Sequence, residues 1–188
     1  MKRVSVDTET TGISAGCPIL SIGAVEFDTE TGTLGEQFYC VINHESCLAK
    51  GLRPNEETIA WWAQRSEEAR QVLNQASEPV SESVLTITDA LTKFNEYLSQ
   101  FGKDVEVWGN GSDYDNVILD AAYKATGVPR FWEFWNNRCY RTLKNLFPEV
   151  KFVRQGMYHH ALHDAISQAN HALDIFKQIN VTKRSAKR

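Results

Sequence analysis

Residues 4–12 read Val4-Ser5-Val6-Asp7-Thr8-Glu9-Thr10-Thr11-Gly12. Valines alternate with polar side chains, the period-two signature of a strand with one apolar face. The same period sets Asp7 and Glu9 on one face at the strand's carboxyl end. Neither Lys nor Arg occurs between residues 4 and 16 to pair with them locally. Two adjacent carboxylates repel each other, and a divalent cation between their oxygens relieves that repulsion; Mg²⁺ and Mn²⁺ prefer such hard oxygen ligands. Taken alone, the pair reads more readily as a solvated strand end. The turn Thr10-Thr11-Gly12 that follows lets backbone approach a ligand closely.

Beyond the turn, the apolar run Ile19 to Phe27, the turn cluster Asp28-Thr29-Glu30-Thr31-Gly32 and the β-rich Phe38 to Ile42 read as two further strands joined as a hairpin. Asn55 caps a helix whose first turn carries Glu56 and Glu57 and whose face carries Ile59 and Trp62. Helical spacing recurs over Glu67–Gln75 and from Thr88 to Gly102. A short strand, Val105 to Trp108, ends at Gly109-Asn110-Gly111, and a helix runs from Tyr114 to Thr126 before Gly127 and Pro129. Phe131 to Trp135 is aromatic and unassigned; helices cover Arg141–Phe147 and His160–Ile179. Strands first, then helices with an embedded strand, indicate a mixed α/β domain. No repeat or linker divides it, so residues 1–180 form one expected domain, with a short basic tail at 181–188.

Composition narrows the function classes. The chain has 188 residues, 42% hydrophobic and 23% charged, within the globular range. Twenty basic against 24 acidic side chains give a net charge of −4. That excludes a broadly cationic surface that grips nucleic acid by counterion release alone, and leaves room for a local site whose positive charge comes from bound metal. The tail holds Lys183, Arg184, Lys187 and Arg188. Cys17, Cys40, Cys47 and Cys139 lack C-x-x-C spacing, so a zinc ribbon or redox motif is not expected, and they read as buried thiols. No stretch reaches the roughly 20 apolar residues of a membrane span. Acid at Asp7 interrupts any secretory h-region, so a cytoplasmic location is expected.

Two more acids and a histidine complete the chemistry. Asp115 opens a helix just after a strand's carboxyl end, where α/β folds place their sites, although a first-turn acid also suits the helix dipole. In His159-His160-Ala161-Leu162-His163-Asp164, His160 and Asp164 are an i, i+4 pair, whereas His159 precedes the helix and is free to swing towards the same site. Local spacing favours His160; local physics alone does not choose between them.

These residues, in this order, resemble the DEDDh 3′→5′ exonucleases, the superfamily that contains RNase T, oligoribonuclease and the proofreading subunit of bacterial DNA polymerase. The chain is most similar to the bacteriophage-type exonucleases and the mycobacterial polyadenylate-degrading ribonuclease. The resemblance rests on Val6 to Gly12, on Pro18 to Ala24, on Thr58-Ile59-Ala60-Trp61-Trp62-Ala63-Gln64, on Trp108 to Gly111 and on His159 to Ala165. It spans about residues 3 to 178. It implies an RNase H-like fold, a mixed β-sheet of about five strands flanked by helices. It also implies two-metal hydrolysis of single-stranded DNA or RNA from a free 3′ end to nucleoside 5′-monophosphates.

By this resemblance Asp7 bridges two Mg²⁺ or Mn²⁺ ions, Glu9 and Asp164 complete the first, and Asp115 holds the second, partly through water. The family's His-to-Asp spacing selects His159 as general base. Thr10, Thr11 and Gly12 are the implied backbone contacts to the terminal nucleotide. Trp61 and Trp62, with Trp132 and Trp135 as further aromatics, are candidates for base stacking, and Arg141 for a phosphate contact. Related sequences often read Arg-Asp-x-Arg where this chain has Arg138-Cys139-Tyr140-Arg141. The phage enzymes tilt the expected substrate towards DNA, with RNA tails as the alternative. Relatives are often homodimers. A catalytically idle nucleic-acid-binding domain and an RNase H-type endonuclease are the competing readings, and the complete acid set argues against the first.

Overall fold

The apolar face of the first strand needs a cover, and the sheet grows around it. A computed structural model describes residues 2–185, with side chains up to Ile179. Strands β1 (Arg3–Thr10), β2 (Ile19–Asp28) and β3 (Thr33–Ile42) form an antiparallel meander. The expected hairpin is present: Gly32 takes φ 74°, and its N–H donates to the Asp28 carbonyl at 2.8 Å. After α1 (His44–Ala49), α2 (Glu56–Ala63) and α3 (Glu67–Ala76), strand β4 (Val84–Leu85) runs parallel to β3. Helix α4 (Ile87–Ser99), β5 (Glu106–Gly109), α5 (Asp115–Thr126), β6 (Asn137–Cys139), α6 (Tyr140–Leu146) and α7 (Ala161–Ser185) complete the chain. The strand order is β4-β3-β2-β1-β5-β6, with β5 parallel to both β1 and β6.

The sheet therefore has six strands rather than about five. Strands β4 and β6 are two and three residues long, too short for any period to register. Helix α1 was not visible in the pattern; Asn43 caps it, accepting from the Ser46 N–H at 2.9 Å. Asn55 caps α2 as expected, accepting from the Thr58 N–H at 2.9 Å. The capping position of α5 is Tyr114, which makes no side-chain cap bond.

Each face of the sheet has its own cover. Val4, Val6, Ile22 and Ala24 pack against Leu91, Phe94, Ile118 and Leu119 of α4 and α5. Val25 and Phe27 face Ala165, Ala169, Ala172 and Leu173 of α7 on the other side. Ser5, Asp7 and Glu9 share that second face, because Asp7 is opposite Gly23 and Glu9 opposite Ser21 in the β1–β2 register. The polar side of β1 thus lies beneath a helix rather than in solvent: Ser5 and Glu9 are buried. Cys17, Cys40 and Cys47 are buried free thiols and Cys139 is partly so. Helix α7 carries the backbone of residues 181–185; the basic side chains of the 181–188 tail lie outside the described residues.

Candidate active site

Close approach of α7 to the sheet begins at a glycine. A Cβ on Gly23 would fall 2.1 Å from the Leu162 nitrogen and 2.2 Å from the Ala161 carbonyl carbon. Only a residue without a side chain lets the first turn of α7 rest on β2 at this height. Gly23 is the register partner of Asp7, so the same contact delivers Asp164, in that first turn, to the two acids of β1. Ligand oxygens of Asp7, Glu9 and Asp164 lie within 4.8 Å of one another.

Neighbouring groups hold these carboxylates in place. Gln168, one turn beyond Asp164, donates from Nε2 to Asp7 Oδ1 at 2.7 Å, and its own Oε1 is buried with no partner. Arg154 grips Asp164 with both guanidinium nitrogens, Nη1 on Oδ1 and Nη2 on Oδ2, the latter at 3.0 Å. Asp115 is fully buried at the start of α5. Its Oδ1 accepts from the Thr8 N–H at 3.0 Å and the Thr8 hydroxyl at 2.8 Å, and its Oδ2 from the Asn110 N–H at 2.7 Å. Asp115 therefore stands beside the three-acid group rather than inside it, and it ties the end of β1 to the end of β5.

Negative charge accumulates here, offset at Asp164 by Arg154. Burial, then the charges of Asp115, Glu9 and Asp164, push the Asp7 carboxyl well above the usual carboxylate range. Burial, then Asp164 and Asp115, raise Glu9 to about 8, against a lowering pull from Arg154. Asp115 is raised by burial, and the bonds from Asn110 and Thr8 restrain it. Perturbed acids that converge on a cleft are the electrostatic mark of a functional site.

The two adjacent histidines have different surroundings. His159 takes φ 58°, the one non-glycine residue in the left-handed region among those described, and the turn leans its ring edge-on against Trp61 (5.0 Å) and Trp62 (5.8 Å). Burial lowers its pKa, which favours the neutral imidazole. His160 lies outside the cleft, stacked between Tyr39 (4.5 Å) and His163 (4.1 Å). The i, i+4 spacing of His160 with Asp164 follows from the helix; the ring's destination follows from what packs on it.

Asp7, Glu9, Asp164 and His159 line one cleft of about 500 Å³ with Thr10, Trp61, Trp62 and Gln168. Trp62 is buried and donates from Nε1 to the Thr10 carbonyl at 2.8 Å, while Trp61 keeps 38% of its surface exposed. Thr11 and Gly12 do not line the cleft. The Thr11 carbonyl accepts from the Asn55 N–H at 2.7 Å, and Gly12 packs on Cys17. Arg141 is also outside, donating to the Asn110 carbonyl at 2.7 Å. Trp132 belongs to the core, and Trp135 is exposed away from the cleft. Ile13, Asn55, Asn110 and Tyr114 also line the cleft; the sequence marked Asn55 as a cap, Asn110 as part of a turn and Tyr114 as a helix start, and gave Ile13 no signal. Gln168 had one, its i+4 relation to Asp164, and Gly23 had another, as a glycine inside a strand.

Residues 2–176 match the model of a protein family described as the 3′–5′ exoribonuclease Rv2179c-like domain. The chain belongs to this family. Its family description makes this Rv2179c-like domain a 3′–5′ exonuclease. No curated protein matches the chain in sequence. Among solved structures it is similar to the nuclease domain of 3′hExo, a DEDDh family member bound to rAMP, at 14% identity and a TM-score of 0.62, with 94% of this chain and 92% of that one covered. It is also similar to S. pombe Pop2p in its Mg²⁺- and Mn²⁺-bound form, at 17% identity, TM-score 0.56, covering 92% and 82%. E. coli Exonuclease I in complex with a dA16 oligonucleotide gives 12% identity, TM-score 0.59, and coverage of 96% and 43%, so this Rv2179c-like domain spans less than half of that chain. At such identities the likeness establishes the RNase H-like fold. No helix among the described residues is long and apolar enough to cross a membrane.

Proposed function

We propose that this Rv2179c-like domain removes nucleotides one at a time from the 3′ end of single-stranded RNA, in a reaction that depends on divalent cations. The observation that carries the reading is the meeting of Asp7, Glu9 and Asp164 within 4.8 Å at the floor of a cleft walled by Trp61 and His159. The family description favours RNA over the DNA preference expected from phage relatives.

Three hard carboxylate donors in one place suit Mg²⁺ or Mn²⁺. Burial first, then the charges of the neighbouring acids, raise Asp7 and Glu9, a cation would relieve that repulsion, and the unpartnered Gln168 Oε1 is a buried acceptor beside them. Asp7, Glu9 and Asp164 would hold one ion. A second would be shared between Asp7 and, through water, Asp115, whose oxygens already accept three protein hydrogen bonds. Bound cations would stabilise the charge that develops on the attacking and leaving oxygens.

The protein's own groups do the rest. Neutral His159 takes the proton from the attacking water through its imidazole, and the left-handed turn with its two tryptophan walls fixes the direction of that ring. Trp61, the exposed wall, offers a face for stacking a base without regard to sequence. Arg65 lies over the same ring at 4.4 Å. Thr10 lines the floor beneath it.

Matched 5′-labelled single-stranded RNA and DNA oligomers with Mg²⁺, Mn²⁺ or EDTA test the proposal. A ladder shortening from the 3′ end, faster on RNA, and its loss in EDTA and in Asp7→Ala are expected. Cleavage of a circular or 3′-blocked oligomer would instead establish an endonuclease.

A further inference from the structure

We propose that Arg154 is the site's internal counter-cation: it holds Asp164 against the other acids and competes with the divalent cation for that carboxylate. The inference rests on the reading of Asp7, Glu9 and Asp164 as a cation-binding group.

The geometry of the arginine sets it apart from a surface ion pair. Its planar fork takes both oxygens of Asp164, one per guanidinium nitrogen, which leaves neither with an undivided lone-pair face. Both partners are mostly buried, with 16% and 18% of their side-chain surface exposed. Nη2 also donates to the Met157 carbonyl at 2.7 Å, the guanidinium carbon lies 4.0 Å from the Tyr158 ring centroid, and Nε is buried without a partner. The same side chain thus fastens the residues that lead directly into His159.

A cation that reaches Asp164 must displace at least one of those two contacts. It arrives in a field that already contains one positive charge, so its affinity is set below what the acids alone would give. What the enzyme gains is stability before the cation binds: without a positive charge at this point, repulsion among the four acids strains the contact of the first turn of α7 with the sheet, and a cation relieves it. Arg154 is accordingly a positioning residue, acting through Asp164 and through the turn that carries His159.

Calorimetric titration of Mn²⁺ into the full chain and into Arg154→Gln and Arg154→Lys separates this role from a purely structural one. Thermal melts in EDTA and in saturating Mn²⁺ accompany it. Arg154→Gln is expected to bind Mn²⁺ about tenfold more tightly, the scale on which one charge 4–6 Å away shifts an ionisation. In EDTA it melts lower than the parent, and it gains more from Mn²⁺. Arg154→Lys keeps the charge but loses the fork, and falls between the two. If Arg154→Gln does not fold, the lysine variant decides, since it too must bind Mn²⁺ more tightly than the parent. Unchanged or weaker Mn²⁺ binding in the variants, with the parent binding normally, overturns this inference alone. If the parent itself binds no Mn²⁺, the cation-binding reading beneath it falls as well.

Discussion

At the scale of single residues, the site couples stability to function through repulsion. Asp7 is held well above its ordinary pKa by burial and three neighbouring acids, so its charge destabilises the metal-free fold. Asp7→Asn keeps the acceptor that Gln168 uses and removes the charge. The variant is expected to melt higher than the parent in EDTA at pH 8 while its nuclease activity is lost, as stability–activity trade-offs predict. The two histidines give a second contrast. His159→Ala should lower kcat by about 10²–10⁴, the usual worth of a general base, with Mn²⁺ binding retained by calorimetry. His160→Ala should lose only the stacking on Tyr39 and His163, with a modest drop in melting temperature and near-parental turnover. If His160→Ala is the slower enzyme, the assignment of the base is wrong. The acids were legible once their placement was set beside the family resemblance, because period two and a helix start are local facts that left each acid's role open. The choice between adjacent histidines was not, since a positive φ and two tryptophan walls exist only in the folded chain.

Among elements, the decisive contact is that between β2 and the first turn of α7. Gly23→Ala would set a methyl group within 2.5 Å of three backbone atoms of that turn. Neither backbone can yield locally, so the helix must lift, at a cost of about 1–3 kcal/mol by the measure of overpacked cores. Because the lifted turn carries Asp164, the loss of activity should far exceed the loss of stability, a split that denaturant melts and single-turnover rates together resolve. The sequence made the long elements readable: alternation over β1, the capping Asn55 of α2, and the helical spacing of α4 all reappear in the fold. It left β4, β6 and α1 unread because their stabilisation is tertiary, from strand neighbours and a single asparagine cap. Thr11 and Gly12 fall in the same class: their motif was plain, but their groups are used to anchor α2 and Cys17 instead of facing the cleft.

Across the whole molecule, the buried acids make the metal-free protein sensitive to pH. Glu9 titrates at about 8 in the fold against 4.5 ordinarily, and Asp7 and Asp115 shift in the same direction. The native state therefore binds more protons than the unfolded chain in this range, and stability falls as pH rises. His159 and His160, lowered by burial, pull the other way below their ordinary 6.5. In EDTA the melting temperature should accordingly fall from pH 6.5 to 8, and saturating Mn²⁺ should abolish the slope and release protons on binding. The net charge of −4 fits the proposed reading, in which the grip on a polyanion would be local, from a cleft, an exposed tryptophan and bound cations rather than a basic surface.

If Asp7, Glu9 and Asp164 form one cation-binding group, anomalous diffraction from crystals soaked in Mn²⁺ will locate the ion among them. A peak bonded to oxygens of all three residues, with Arg154 displaced from at least one oxygen of Asp164, is the predicted result. Mn²⁺ bound elsewhere, or three carboxylates that stay unliganded at saturating metal, would contradict it.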